Sequence, residues 1–219
     1  MNERRTTQPF GPFFLVIFTV AKWICRLLHP VTVQGLENLP RHGALLVANH
    51  ASNWDPLVLA TALPMDYRLR VMGKEELFRN PILAWVIRVG GAFPVNRGGA
   101  DIQAVKTAIQ TIQSGQNLLI FPEGTTIRNG IGKTDGLPAH AHSGAAVIGV
   151  RTGAILVPVF VDGEKRTFHR TRIIIGQPYT PVYTGRRGTA EEMQKIADEL
   201  LREVYALGGQ QVGGAPLCK

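Results

Sequence analysis

The sequence predicts an α/β fold: a largely parallel or mixed central sheet flanked by helices, with an amphipathic helix at the N-terminus. Two observations carry that expectation. Short apolar runs such as Leu45–Ala48 and Leu118–Phe121 are continuous rather than alternating, which suits strands covered on both faces, and they are interleaved with longer segments whose apolar residues recur at helical spacing. Such interleaving is the pattern of a layered sheet with helices packed against it. The chain, 219 residues and 45% hydrophobic, is large enough to bury one good core and is read as a single domain.

Taken in order, Met1 to Pro12 is a polar start, and Phe13 to Leu28 is the most hydrophobic stretch. Lys22 and Arg26 interrupt it, so the unbroken apolar run, Phe13 to Ala21, falls short of the roughly 20 residues a spanning helix needs. The two cations are four apart and share a helical face with Trp23 beside them, leaving Phe13, Phe14, Ile17, Val20, Ile24 and Leu27 for the other side. That pattern fits a helix lying in a bilayer interface; a cleaved signal peptide and an ordinary core-covering helix are the competing readings. Residues 1–29 are thus set apart as a membrane-associating segment, 30–207 as the globular domain, and 208–219, small and Gly-rich, as a disordered tail.

Val31–Gln34 alternates like a strand, and Leu45–Ala48 follows as a buried one. Asp55 precedes Pro56 and the apolar Leu57–Ala60, which reads as an N-cap with proline at the first helical position. Arg68–Met72 is a further strand. Asn80–Val89 is a helix expected to turn Ile82, Leu83, Val86 and Ile87 to the core, and Ala92–Val95 is a short strand. Asp101 caps a helix bearing Ile102, Val105, Ala108, Ile109 and Ile112, which Ser114-Gly115 ends. Asn117–Phe121 is a strand and Ser143–Thr152 a helix. Ile155–Val161 is a strand whose Pro158 argues for an irregular or edge position, and Arg172–Ile175 is the last strand. Thr189 and Glu192 form a capping box for a helix with Met193, Ile196, Ala197, Leu200, Leu201 and Val204 at core spacing.

Net charge of +8 favours an anionic partner: nucleic acid, a phosphate-bearing substrate or an acidic membrane surface. No basic run or aromatic-rich strand of the RNA-binding kind is present, which makes nucleic acid the weakest of the three. Cys25 and Cys218 stand alone without metal spacing, as expected in a reducing compartment.

Three predicted strands end in chemically loaded turns, and in open α/β sheets ligands collect at such strand ends. The first turn holds His50 and Asp55. Five residues apart on one helix they would be about 140° out of register, but across a turn a carboxylate can fold back onto one imidazole nitrogen. It would fix the tautomer while the other nitrogen takes a proton from a hydroxyl. A capping Asp beside a satisfied structural His is the competing reading; if His50 is a base, no Gly-x-Ser-x-Gly elbow exists to be its client, which leaves the substrate itself. The second turn holds Asn96 and Arg97, whose guanidinium suits a phosphate, beside Gly98-Gly99. The third holds Glu123 and Gly124, where the carboxylate can accept from a hydroxyl, pair with Arg97 or cap the turn. His140 and His142 fit no zinc spacing with His50 and Asp55, and no metal is expected.

Four blocks in order, Asn49-His50-Ala51-Ser52-Asn53-Trp54-Asp55, Gly91-Ala92-Phe93-Pro94-Val95-Asn96-Arg97, Phe121-Pro122-Glu123-Gly124-Thr125 and Val157-Pro158-Val159, resemble the glycerophospholipid acyltransferase family, and within it the 1-acylglycerol-3-phosphate O-acyltransferases. The resemblance spans about Val31 to Gly176. It implies that His50 deprotonates the free hydroxyl of a lysophospholipid, which attacks acyl-CoA or an acyl-carrier-protein thioester without a covalent acyl-enzyme or a cofactor. Asp55 orients His50, Arg97 holds the acceptor phosphate, and Glu123, Gly124 and Thr125 help place the acceptor. It further implies phospholipid synthesis by a peripheral protein at the cytoplasmic face of the membrane. Two departures stand out. The family often has Arg-Ser after the third block, where this chain has Thr126-Ile127 with Arg128 two places late, and Lys-x-Gly is replaced by His142-Ser143-Gly144. Either Arg128 supplies the missing charge, or the acceptor is another lyso-lipid, or the chain binds anionic lipid without turnover.

Overall fold

The computed structural model describes residues 13–96, 101–127, 133–134, 137–138, 141–162 and 167–209. Nine strands run in chain order: β1 (Val31–Gln34), β2 (Ala44–Ala48), β3 (Leu69–Lys74), β4 (Ala92–Val95), β5 (Asn117–Ile120), β6 (Lys133–Thr134), β7 (Leu137–Pro138), β8 (Ile155–Val161) and β9 (Thr171–Ile175). The helices are α1 (Phe14–Leu28), α2 (Asp55–Ala62), α3 (Pro81–Val89), α4 (Ile102–Gln113), α5 (Gly144–Thr152) and α6 (Ala190–Leu207).

Seven strands form one sheet in the order β1-β9-β8-β2-β5-β3-β4, with β6 and β7 as a separate two-stranded ribbon. Neighbours from β8 to β4 are all parallel, whereas β9 runs antiparallel to β8 and carries β1 parallel to itself. The sheet is therefore mixed, with its parallel block where the loaded turns lie. β2 is the middle strand of the seven and every one of its residues is wholly buried. Its alternation divides the core in two. Leu45 and Val47 belong to the layer of α4, α5 and α6, while Ala44 and Leu46 belong to the layer holding Val58 and Leu59 of α2.

Side chains lock the central strand's register at both ends. Asn117 Oδ1 accepts from the Ala44 amide (3.0 Å) at its start. Past its end Asn49 imitates a strand residue, accepting from the Val161 amide (2.8 Å) and donating to the Val161 carbonyl (2.9 Å). A one-residue slip would break all three bonds and invert every buried side chain.

Several local expectations need correction. β8 is an interior strand, not an edge. Pro158 is tolerated because it faces the point where β9 has just ended: its carbonyl accepts from the Gly176 amide (2.8 Å), and regular pairing with β9 begins only at Val159. On α3 the expected core face is rotated. Ala84 is the one buried residue, while Ile82 (76% exposed), Leu83 (42%) and Trp85 (49%) face outward, because α3 lies beside the edge strand β4 and covers no sheet face. On α4 the expected Val105, Ala108, Ile109 and Ile112 do pack against the core, joined by Ala104 and Thr111, and Ile102 alone of the expected set is exposed.

On α1, Phe14 and Cys25 face the domain. Lys22 is not on the outer face with Arg26, since its ammonium donates to the Leu63 carbonyl just past α2 (3.3 Å). The outer face is apolar, with Val16, Val20, Trp23 and Leu27 all more than half exposed. No helix among the described residues is long and apolar enough to cross a membrane.

Candidate active site

Because β2 and β5 are parallel with Val47 opposite Ile120, the residues three past each, His50 and Glu123, leave the same sheet edge side by side. The chain then turns, and Asp55 opens α2. Asp55 is not the N-cap expected for it; Trp54 holds that position, and the Asp55 side chain folds back over the turn. A single oxygen, Oδ2, accepts from the Ala51 amide (2.7 Å), the Ser52 amide (2.7 Å) and His50 Nδ1 (3.2 Å). Asp55 is fully buried and His50 nearly so, at 4% exposure. A buried carboxylate would be expensive without partners; here three donors and the positive end of α2 supply them.

The two amides decide the imidazole's tautomer. An oxygen that already accepts two N–H groups acts as an acceptor toward the third partner, so Nδ1 carries the hydrogen, and in the neutral ring Nε2 is then the nitrogen with the lone pair. The ring is also stacked on Phe121, with centroids 4.3 Å apart and planes inclined by 26°. Hydrogen bond and stacking together leave the imidazole one orientation.

The backbone of His50 is gripped from both ends of the third turn. Its amide donates to Glu123 Oε2 (2.7 Å), and its carbonyl accepts from the Ile127 amide (2.7 Å). The other oxygen of Glu123 accepts from the Tyr205 hydroxyl on α6. Of the alternatives open from sequence, Glu123 is thus engaged with protein partners inside the core, at 5% exposure. Burial pushes its carboxyl up to about 7; the Tyr205 and His50 hydrogen bonds pull it down, and the Asp55 charge adds a smaller push upward.

Gly124 has φ +66°, and a Cβ placed there would stand 2.8 Å from the His142 ring, which leaves glycine as the residue that fits. His142 is drawn in by its own amide, which donates to the Pro122 carbonyl (2.7 Å). Thr125 is exposed on the rim. Thr126 donates from its hydroxyl to Asn53 Oδ1 (3.1 Å) and so ties the third turn to the first.

Arg97 and Arg128 lie outside the described residues. β4, which ends at Val95, is the sheet edge, three places from β2, or roughly 14 Å at ordinary strand spacing. Asp101 accepts from the Asn96 amide (2.8 Å) and caps α4 at the Ala104 amide (2.8 Å). Sequence reasoning missed Tyr205 and the strand-like role of Asn49. Tyr205 does follow Leu201 at helical spacing, which marks it as buried, but nothing local announces a carboxylate 82 positions away.

Known proteins resemble this chain in sequence and in fold. Residues 30–162 match the family model described as Acyltransferase. The 1-acyl-sn-glycerol-3-phosphate acyltransferase of Bacillus subtilis is 29% identical over 191 residues, covering 85% of this chain and 92% of that one. The lyso-ornithine lipid O-acyltransferase of Pseudomonas aeruginosa is 33% identical over 107 residues, covering 48% of this chain and 40% of that one. Three of the curated relatives are matched over only 40–41% of their own length. Among solved structures, the 1-acyl-sn-glycerophosphate acyltransferase of Thermotoga maritima superposes with a TM-score of 0.66 at 26% identity, covering 90% of this chain and 80% of that one.

Proposed function

Because the chain belongs to the acyltransferase family, its residues 30–162 matching that family's model, we propose that it transfers a fatty acyl group from an acyl thioester to the free hydroxyl of a lysophospholipid, with 1-acylglycerol-3-phosphate as acceptor and phosphatidic acid as product. The observation that carries the reading is the held imidazole: Nδ1 on Asp55, the ring on Phe121, and Nε2 left as the acceptor nitrogen. Nε2 takes the hydroxyl proton as the oxygen attacks the thioester carbonyl. The tetrahedral adduct collapses with loss of the thiolate, which recovers that proton from the imidazolium, so no acyl group is ever attached to the protein. Asp55 offsets the transient positive charge.

Arg97 and Arg128 are the proposed holders of the acceptor phosphate, with Gly124 and Thr125 shaping the rim. Glu123 acts one layer further in, fixing the backbone of the base. The donor is acyl-CoA or an acyl-carrier protein, no cofactor takes part, and the protein works peripherally at the cytoplasmic face of the membrane, where such thioesters are made. The exposed apolar face of α1 supports that placement.

A second reading, acylation of a different lyso-lipid, is favoured by one observation. Thr126 spends its hydroxyl on Asn53 where relatives often carry arginine, and one relative is a lyso-ornithine lipid enzyme. A panel of acceptors against both thioester carriers, read as free thiol released, tests both. Release that requires 1-acylglycerol-3-phosphate supports the first reading; release with a phosphate-free lyso-lipid alone selects the second. Thiol release with no acceptor dependence contradicts both.

A further inference from the structure

The 3-10 turn Glu75–Phe78 and α3 enclose a cleft of about 480 Å³ that has no part in the site around His50. Phe78, Ala84 and Trp85 give it an apolar lining, and the charged residues lining it are Arg79 and Arg88, with no carboxylate. The Arg88 guanidinium lies over the Phe78 ring, 5.2 Å from its centroid. The nearby Glu76 pairs with Lys74 (3.4 Å) and its charge is also felt by Arg79, although among the described residues neither Arg79 nor Arg88 forms an ion pair within 4 Å. Directly beside the two arginines stands the apolar ridge of Ile82, Leu83 and Trp85, exposed by 76%, 42% and 49%. Phe13, at the start of α1, touches Trp85 (ring centroids 5.9 Å), so this ridge adjoins the apolar outer face of α1.

We propose that this cleft is a binding site for an acidic phospholipid of the bilayer, distinct from the acceptor site, with the headgroup phosphate between Arg79 and Arg88 and the ridge of α3 at the acyl boundary. Two arginines lining one cleft that holds no carboxylate favour an anion there, and the adjoining exposed ridge favours an apolar neighbour. A lipid in a membrane supplies both at once. A soluble anion would leave the ridge wet, and a purely apolar protein surface would leave the arginines unmatched. The turn follows β3, whose carboxyl end lies on the same sheet edge as His50. A bilayer held here would therefore face the edge at which an acceptor enters. The inference rests on the membrane-surface placement proposed above and not on acyl transfer.

The test is co-sedimentation of the full chain with phosphatidylcholine vesicles and with vesicles containing phosphatidylglycerol, comparing wild type with Arg79→Gln/Arg88→Gln. The double variant should keep wild-type affinity for neutral vesicles and lose roughly tenfold or more on anionic ones, since each arginine near the surface contributes about 1 kcal/mol. Its thermal midpoint, measured without lipid, establishes that it is folded. A second measurement needs no loss of charge: with Trp23→Phe/Trp54→Phe leaving Trp85 as the one tryptophan, brominated acyl chains should quench its fluorescence. Unchanged anionic-vesicle binding by the folded double variant, or an unquenched Trp85 in vesicle-bound protein, would overturn the proposal. So would a lipid-free dimer that Trp85→Glu dissociates, since the ridge would then belong to a second copy. None of these readouts uses turnover, so a failed acyl-transfer assay leaves the outcome unaffected.

Discussion

At the scale of single residues, the proposed base, His50, is held by partners that do not depend on its side chain. The grips on His50 from Glu123 and Ile127 are to backbone atoms, so His50→Ala removes the imidazole and its stacking on Phe121 while leaving the turn bonded. Asp55 differs: its oxygen also holds two amides, and Asp55→Ala leaves buried donors unpaired, which should lower stability by about 1–3 kcal/mol as well as abolish turnover. Gly124→Ala combines a left-handed φ with a Cβ 2.8 Å from His142. It should cost on the order of 1–3 kcal/mol, a fall in thermal midpoint of several degrees. Pairing it with His142→Ala should recover the steric part alone, as differential scanning calorimetry of the single and double variants would show.

Glu123 gives the same scale a pH signature. Its carboxyl is raised from an ordinary 4.5 to about 7, burial being the main cause. The folded state therefore holds a proton that the unfolded chain has released, and the associated stability is fully present below about pH 4.5 and lost as pH rises through about 7. The span amounts to a few kcal/mol. Thermal midpoints measured from pH 5 to 8 should fall in the wild type, and Glu123→Gln should flatten that slope. Tyr205→Phe removes a bond that lowers Glu123, so the falling limb should extend to higher pH. If the Glu123→Gln slope matched the wild type, this carboxylate would not be the titrating group.

At the scale of elements, sequence patterns identified which segments form but not always which way they face. The capping box of Thr189 and Glu192 is present as read, because both partners lie within one helical turn. The orientation of α3 was not legible, since Ile82 and Trp85 face outward for a reason set by strand order: β4 is the last strand of the sheet, so no further strand lies beyond it. Likewise Pro158 looks like an edge residue until β9 is seen to end opposite it. The outer face of α1 makes the prediction here. Trp23→Glu/Leu27→Glu should reduce vesicle co-sedimentation strongly, and it is a better probe than removing the helix, because deletion would also uncover the surface that Phe14 and Cys25 now bury. Unaltered sedimentation of that double variant would place the membrane contact elsewhere.

For the whole molecule, the parallel block does the positioning. His50 and Glu123 meet because two neighbouring strands run the same way in a fixed register, and Asn49 ties the same strand end to β8. Of the three strand ends expected to converge, those carrying His50 and Glu123 are neighbours, whereas β4 lies three strands from β2 and Arg97 is outside the described residues; the pairing of His50 with Asp55 was readable from the turn between them. Tyr205 was not readable, because only the folded chain brings α6 under the third turn. The central claim is that this arrangement makes His50 a base toward a lipid hydroxyl. It is tested most directly by acceptor-dependent thiol release from an acyl thioester, comparing wild type with a His50→Ala variant shown by circular dichroism to be folded. The account predicts release that requires a lysophospholipid and drops by about 10²–10⁴-fold in the variant; a folded His50→Ala protein that still turns over at the wild-type rate would contradict it.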